Sequence, residues 1–174
     1  MKKIILSLFL VSSILLLGMK EMKQEHERWD VKTLTDGFYP DLSNTSQRSV
    51  ESLEKIKIIR VGYNTPRMDF EKNIITVSGT IVSMRLEKDG DIHIELMDNS
   101  IDSTIACEAV DPNDDVVEKS PFLEKFKIVK EKISNLKKGD QVSITGALFQ
   151  DKFHKPFKMR IRNFLEVHPI LIIQ

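Results

Sequence analysis

Apolar and polar residues alternate in short runs along most of the chain beyond residue 72, a pattern typical of half-buried β-strands. The alternation predicts five strands, over residues 73–87, 91–97, 103–110, 141–149 and 163–173. In the first strand the apolar parity switches at Gly79, from Ile75 and Val77 to Val82 and Met84. Such a switch at a glycine predicts a bulge or a sharp coil there.

One segment between the third and fourth predicted strands has helical periodicity instead. Its apolar residues recur at steps of four and three, as one stripe of an amphipathic helix: Phe122, Phe126, Val129, Ile133 and Leu136. Ser120 and Pro121 suit the N-cap and the first helical position, and Gly139 suits the end of the helix. The pair Asp89-Gly90 predicts the tight turn of a hairpin between the first two strands.

The resulting order is strand, strand, strand, helix, strand, strand. This is the order of the OB-fold, a small five-stranded Greek-key barrel with its helix between strands three and four. The sequence therefore predicts a mainly β, OB-fold-like barrel over residues 73–174. An open α+β sheet and a different small barrel are the two alternatives.

Residues 20–72 lack this regular alternation and are predicted to form an N-terminal arm. A short helix is expected over residues 49–56, where Val50, Leu53 and Ile56 are spaced by three. Several large apolar residues make the arm too hydrophobic for a free tail: Trp29, Val31, Leu34, Phe38 and Tyr39. The arm is therefore expected to pack on the barrel.

Two lysines follow Met1, and residues 4–19 then form a mainly apolar run without charged residues, which is the order of a secretory signal. No Ala-x-Ala cleavage motif follows, and Met19 stands where a lipoprotein signal would carry its lipidated cysteine. Residues 1–19 are thus either a cleaved signal peptide or an uncleaved membrane anchor. Both alternatives predict an exported protein of the periplasm or cell envelope, in the second case tethered to the inner membrane through residues 1–19 alone.

Composition narrows the class of protein. A chain of 174 residues with 41% hydrophobic residues can bury a core of its own, which excludes a disordered polyelectrolyte. Lys+Arg and Asp+Glu both total 26, so there is no overall basic field of the kind that dedicated nucleic-acid binders carry. The single cysteine, Cys107, cannot form an intramolecular disulfide, and its alternating context predicts a buried, inert thiol.

Polar and titratable residues occupy the outward positions of strands two, three and five. When the apolar residues face the core, the opposite faces carry Asp91, His93, Glu95, Thr104, Glu108, Glu166 and His168. In an OB barrel strand three lies between strands two and five, so these side chains are expected side by side. The loop after the fourth strand adds Asp151 and His154.

This combination of imidazoles and carboxylates supports three interpretations. It can bind a divalent metal such as zinc, or perform acid–base chemistry near neutral pH. It can also simply brace the barrel through cross-strand hydrogen bonds and ion pairs on a solvated face, which is the commonest role of such a row. The sequence assigns no cofactor and no catalytic residue, and it leaves a metal open.

The loop over residues 151–162 interleaves two phenylalanines with basic residues. Its candidate anion-binding residues are Lys152, Lys155, Lys158 and Arg160. The alternatives are an anion-binding or membrane-surface loop and a solvated hairpin loop whose phenylalanines cap the barrel. Nucleic acid is not the expected partner, because OB-folds stack bases on aromatic residues of strands two and three, and the outward positions there carry carboxylates and no aromatic residue.

Several short motifs recur in a fixed order: Val31-Lys32-Thr33-Leu34-x-Asp36, Asp89-Gly90-Asp91-x-His93, Glu108 with Asp111-Pro112, Asp151-x-x-His154, and Glu166-x-His168-Pro169. In order and spacing they resemble a family of uncharacterised bacterial OB-fold-like proteins, over residues 28–173. The resemblance implies that His93, Asp151, His154, Glu166 and His168 form one recurring set, and that the arm belongs to the domain. The family has no established activity, so the resemblance supplies no ligand.

The leading hypothesis is a non-enzymatic, exported OB-fold-like module that binds a small ligand, a metal ion or an envelope protein through the His/carboxylate surface. The second is a metal-dependent hydrolase that acts on phosphoesters or nucleic acid, with the basic loop holding the substrate. The third is a purely structural envelope protein in which the polar row only braces the barrel.

Overall fold

The structure is a computed structural model that describes residues 27–57, 59–152 and 160–174. Its strands are β1 (Ser46–Gln47), β2 (Ile74–Leu86), β3 (Ile92–Met97), β4 (Ile105–Ala109), β5 (Gln141–Gln150) and β6 (Leu165–Ile173). Its α-helices are α1 (Trp29–Lys32), α2 (Val50–Glu54) and α3 (Leu123–Ile133), and short 3-10 helices cover Asp69–Lys72 and Val117–Lys119. Within the described ranges, none of the helices has the length and apolar character needed to cross a membrane.

Five of the strands close into a barrel. Neighbouring strands follow the order β2, β3, β4, β6 and β5, and β5 pairs back onto the first half of β2. The pairs are antiparallel except for β4 with β6, which run parallel, and α3 lies in the chain between β4 and β5. This is the predicted OB-fold-like barrel; the additional strand β1 lies outside it, parallel to the start of β2.

The barrel interior is filled by the apolar residues of each strand. Ile94, Leu96, Cys107 and Val167 are all fully buried in one cluster, which the helix α3 joins through Val129 and Ile133. Burying each of the larger side chains contributes roughly 1.5–3 kcal/mol, so this alternation is the main source of stability. Cys107 is buried, as predicted, and burial raises the pKa of its thiol well above the ordinary value.

The irregularity in β2 lies later than the sequence predicts. Ile81 keeps the buried parity of Val77, and the register against β3 shifts between Ile81 and Ser83. Gly79 has a different role: a Cβ there would collide with the backbone carbonyl of Met97 at the end of β3. The glycine therefore permits a close approach of two strands, and the bulge at Val82 redirects the apolar face.

The helix starts agree with the sequence at α2 and differ at α3. Ser49 is the N-cap of α2, where its side chain accepts a hydrogen bond from the Ser52 amide. The expected N-cap of α3, Ser120, is wrong: the N-cap is Phe122, whose amide donates to the Ser120 hydroxyl at 3.2 Å. Ser120 thus organises the turn before the helix, which begins two residues later than predicted.

The N-terminal arm packs on the barrel, as expected. Trp29 and Leu34 share an apolar cluster with Val110 and Phe126. A buried ion pair fastens the arm in place, because both guanidinium NH₂ groups of Arg28 donate to the Glu71 carboxylate, at 2.8 and 2.6 Å. These contacts set the position of α1, and hence of the residues at its end, against the outer face of the barrel.

Candidate functional site

The outward face of β3, β4 and β6 carries the predicted polar residues, but it is not solvated. We call it the charged face, made of Asp91, His93, Glu95, Glu108, Glu166 and His168. His93 on β3 is the register partner of Glu108 on β4. His93 is only 2% exposed and His168 is fully buried. The bracing interpretation assumed a solvated face, and in this respect it is wrong.

His93 lies between two carboxylates. Its Nδ1 is 2.6 Å from Glu108 Oε1, and its Nε2 is 2.7 Å from Glu95 Oε1, while Glu95 also accepts a bond from the Thr104 hydroxyl at 2.6 Å. Burial lowers the pKa of His93, but the hydrogen bonds to Glu108 and Glu95 outweigh it and raise this pKa to about 9. The ring is therefore a doubly protonated cation at neutral pH, held by an anion at each nitrogen.

His168 on β6 faces carboxylates on both sides with poorer geometry. Nδ1 is 3.0 Å from Glu108 Oε2, and Nε2 is 3.6 Å from Asp91 Oδ2. Neither ring nitrogen is aligned for a hydrogen bond with any described residue, and the same holds for Asp91 Oδ2 and Glu166 Oε2. Burial opposes the charge of His168, but Glu108 and Glu166 raise its pKa to about 9.

The pKa values of Asp91 and Glu108 shift in opposite directions, although burial raises both. Burial raises the pKa of Asp91 to about 7, although its Oδ1 accepts the Asp111 amide at 2.8 Å. Burial acts in the same direction on Glu108, but His168 and His93 hold its pKa well below the ordinary range. Glu108 is thus the ionised centre of the face, with one imidazole on each side.

The ring of Phe149 on β5 contacts His168 of the charged face. Its ring centroid is 5.5 Å from that of His168, and the Lys32 ammonium lies 5.3 Å from it. The Arg28 guanidinium is 4.8 Å from the same centroid. The Phe149 ring thus makes cation–π contacts with Arg28 and Lys32, each worth roughly 0.5–2 kcal/mol.

The arm and the end of β5 complete the site with Lys32, Asp151 and Arg160. Burial lowers the pKa of Lys32, but Glu108, Glu166 and Asp151 raise it to about 12. Burial and Glu166 raise the pKa of Asp151 to about 8. Arg160 forms a buried ion pair with Glu166, and its Nη2 is 3.9 Å from Asp151 Oδ2.

A pocket of about 260 Å³ opens over the charged face. It is lined by five carboxyl groups and two ammonium groups, which belong to Glu87, Asp89, Glu108, Asp151, Glu166, Lys32 and Lys88. We call it the charged pocket. Asp91 and His168 lie behind Glu108, and one ligand atom of each of these three residues lies within 4.8 Å of the other two. The arrangement can accept a cation by its charge and by its donor atoms.

The structure brings together Asp91, His93, Glu108, Asp151, Glu166 and His168, as the sequence predicts for adjacent strands. His154, Lys155 and Lys158 lie outside the described residues. Of the other anion-binding candidates, Lys152 has its ammonium 3.6 Å from the centroid of the Tyr63 ring. Arg160 faces Glu166 and Asp151 from a buried position, so it neutralises the site and is not displayed on a loop surface.

Sequence reasoning missed Lys32, Glu87, Lys88 and Asp89 as members of the charged pocket, and Lys32 is the most distant of them in sequence. It lies in a four-residue helix of the arm, far along the chain from every strand that it approaches. No periodicity relates it to them. Its only signal is its place in the Val31-Lys32-Thr33-Leu34-x-Asp36 motif.

Comparison with known proteins gives structural similarity only. No family model matches the chain, and no curated protein matches it. An OBody bound to hen egg-white lysozyme is 12% identical, with a TM-score of 0.42 over 58% of this chain and 78% of that one. Entamoeba histolytica asparaginyl-tRNA synthetase in complex with asparaginyl-adenylate is 16% identical, with a TM-score of 0.44 over 75% of this chain and 23% of that one.

The S. pombe Stn1-ten1 complex is 13% identical, with a TM-score of 0.38 over 58% of this chain and 56% of that one. Similarities this distant say nothing about what the chain binds. The strand order, the closure of β5 onto β2 and the helix between β4 and β5 establish the OB-fold-like barrel on their own.

Proposed function

We propose that the protein is an exported binding module that holds a small cationic ligand, a metal ion or an organic cation, in the charged pocket. The observation that carries this proposal is the pocket wall, where four carboxyl groups besides the largely protonated Asp151 outnumber two ammonium groups. Export is supported by the two lysines and the apolar run over residues 4–19, and fractionation of cells that express the full chain tests it.

The energetics of the charged face favour a binding site over a brace. Removing an ion from water costs several kcal/mol unless a counter-charge and hydrogen bonds compensate it. His93 is compensated at both ring nitrogens, as a brace would be. His168 and Asp91 Oδ2 are buried and lack such bonds among the described residues. A cation entering beside Glu108 would pair with Asp91 Oδ2, and a metal ion would also bond to His168 Nε2 once that nitrogen loses its proton.

We do not propose single-stranded nucleic acid as the ligand. The outward positions of β3 and β4, on which OB-folds stack bases, hold buried histidine and carboxylate side chains. Carboxylates at these positions repel phosphate. The favoured ligand is therefore small and positively charged.

Isothermal titration calorimetry of the full chain, purified without a histidine tag in a mild detergent, tests the proposal. The probes are 1,4-diaminobutane as a cation and inorganic phosphate as an anion, both at low salt because screening weakens such contacts. Binding of the diamine without binding of phosphate is expected. Binding of phosphate alone, or of neither probe nor any divalent metal, would contradict the proposal.

Substitutions at the pocket rim sharpen the test. Lys88→Glu should tighten binding of the diamine, because it removes a cation from the pocket wall and adds an anion. Asp89→Asn should weaken binding of the diamine, because it removes an anion from the pocket wall. The matched controls are Lys138→Glu and Asp102→Asn, at exposed positions outside the pocket lining, and they should leave affinity within about twofold. Equal effects of rim and control substitutions would refute the location of the site.

A further inference from the structure

Three side chains converge at the inner end of the charged pocket. Asp91 precedes β3, Glu108 belongs to β4 and His168 belongs to β6, so three separate segments each contribute one group. A ligand atom of each lies within 4.8 Å of the other two. Glu108 also lines the pocket, and its side chain is 12% exposed, so an ion that enters the pocket reaches the cluster through this residue.

We infer that Asp91, Glu108 and His168 form a binding site for a divalent transition metal, with Zn²⁺ or Mn²⁺ as its class of ligand. The inference rests on the proposed function, since it names the cation that enters through the charged pocket and meets Glu108. It goes further by identifying a ligand set, two of whose members do not line the pocket itself.

The unpartnered atoms of the cluster point to this ligand. His168 is 0% and Asp91 1% exposed, yet neither His168 Nε2 nor Asp91 Oδ2 makes a hydrogen bond to a described residue. Leaving a buried polar atom unpaired costs roughly 1–3 kcal/mol, so such atoms in a folded protein need an explanation. Nε2 of His168 and Oδ2 of Asp91 are 3.6 Å apart, and one metal ion bonded to both would satisfy them together.

The remaining atoms of the three residues are already held in place. Asp91 Oδ1 accepts the Asp111 amide at 2.8 Å, and Glu108 Oε1 is bonded to His93 at 2.6 Å. Nδ1 of His168 lies 3.0 Å from Glu108 Oε2 and 3.9 Å from Glu166 Oε2. Metal sites use such neighbours to orient their ligands, and Glu166 takes this role beside His168, since Glu108 is itself one of the three ligands.

The donor set selects the class of metal. One imidazole nitrogen with two carboxylate oxygens suits Zn²⁺ or Mn²⁺, whereas an all-oxygen set would favour Mg²⁺ or Ca²⁺. The only thiol of the chain, Cys107, is buried in the barrel core and does not belong to the set. Three protein ligands leave further coordination positions for water or a small molecule, on the side where Glu108 meets the pocket.

The test is calorimetric titration of the full chain, stripped with a chelator and dialysed, with Zn²⁺ and with Mn²⁺, combined with elemental analysis. About one ion per chain is expected. Asp91→Asn and His168→Gln should each lower the affinity by about tenfold or more, whereas Asp102→Asn, an exposed carboxylate outside the cluster, should not change it. Metal bound equally well by the parent and by both ligand variants would overturn the inference.

NMR of the unsubstituted chain tests the same site without relying on variants that fold correctly. Substoichiometric Mn²⁺ should broaden the imidazole NMR signals of His168 and His93 first, because the ion is paramagnetic and would lie beside them. Broadening of other signals with these two unaffected would overturn the inference. Binding of 1,4-diaminobutane without binding of metal would overturn it and leave the proposed function intact, and binding of neither would refute both.

Discussion

The ion pair between Arg28 and Glu71 should decide whether the arm stays on the barrel, and Arg28→Met tests this directly. Both side chains are fully buried. Besides Glu71, the guanidinium donates to the backbone carbonyls of Thr65 at 2.8 Å and Gln150 at 2.9 Å. The substitution keeps most of the side-chain volume, so its effect reports on the charge and on the hydrogen bonds.

The expected loss of stability in Arg28→Met follows from the buried carboxylate that the substitution leaves without its partner. Glu71 would keep bonds from the Met68 and Gln150 amides, at 2.7 and 2.9 Å, but would become a buried carboxylate without a counter-ion. Removing one partner of a buried pair costs about 3–5 kcal/mol. For a protein of this size, 1 kcal/mol corresponds to about 2–4 °C, so Tm should fall by about 6–20 °C.

The assay is urea unfolding of the full chain, followed by the fluorescence of Trp29, the only tryptophan, which neighbours Arg28 and is buried where the arm packs on the barrel. Arg162→Met, at an exposed arginine, is the matched control and should stay within about 0.5 kcal/mol of the parent. The double variant Arg28→Met/Glu71→Gln should lose less than the sum of the single variants. A loss below about 1 kcal/mol in Arg28→Met would refute this account of the arm.

Three further predictions concern the barrel and the charged face. Burial raises the pKa of Asp151 to about 8, above its unfolded value, so its contribution to stability is present at low pH and is lost as pH rises through 8. Urea unfolding should therefore find the parent less stable at about pH 9 than at about pH 6, with a smaller difference in Asp151→Asn; equal pH dependence would contradict this. Gly146→Ala should lower stability by more than about 3 kcal/mol, because its Cβ would collide with a backbone carbonyl of β6, whereas Gly62→Ala, with room for a Cβ, should be close to neutral. His93→Gln should cost about 3 kcal/mol by leaving Glu108 without one of its cations, and an unchanged Tm would refute the paired imidazolium.

The barrel could be predicted from the sequence because its determinants are local. Alternation gives each strand an inner face, and Asp89-Gly90 closes the hairpin, with Gly90 in the left-handed region at φ 92°. The sequence predicts the irregularity of β2 at Gly79, whereas the bulge lies at Val82. A glycine within a strand can mark either a bulge or a close approach of two backbones. Sequence alone does not distinguish these two causes.

The members of the charged face could be predicted, but their burial could not. Strand adjacency in an OB barrel brings His93, Glu108 and His168 together, as expected. Their burial depends on the position of the arm, which is fixed by contacts such as that between Arg28 and Glu71, separated by 43 residues. No local pattern encodes a contact of that kind, so the cation Lys32 was not foreseen in the pocket.

The central claim is that a cation enters the charged pocket beside Glu108 and reaches His168, while His93 keeps its two carboxylate partners. Long-range ¹H–¹⁵N NMR of the imidazoles in the full chain at about pH 7 tests this most directly, with assignments from His93→Gln and His168→Gln. Without added cation both rings should be doubly protonated, since the pKa of each is raised to about 9. Addition of Zn²⁺ should deprotonate His168 at one nitrogen and leave His93 unchanged. A His168 ring that keeps both protons when Zn²⁺ is added would contradict the metal site.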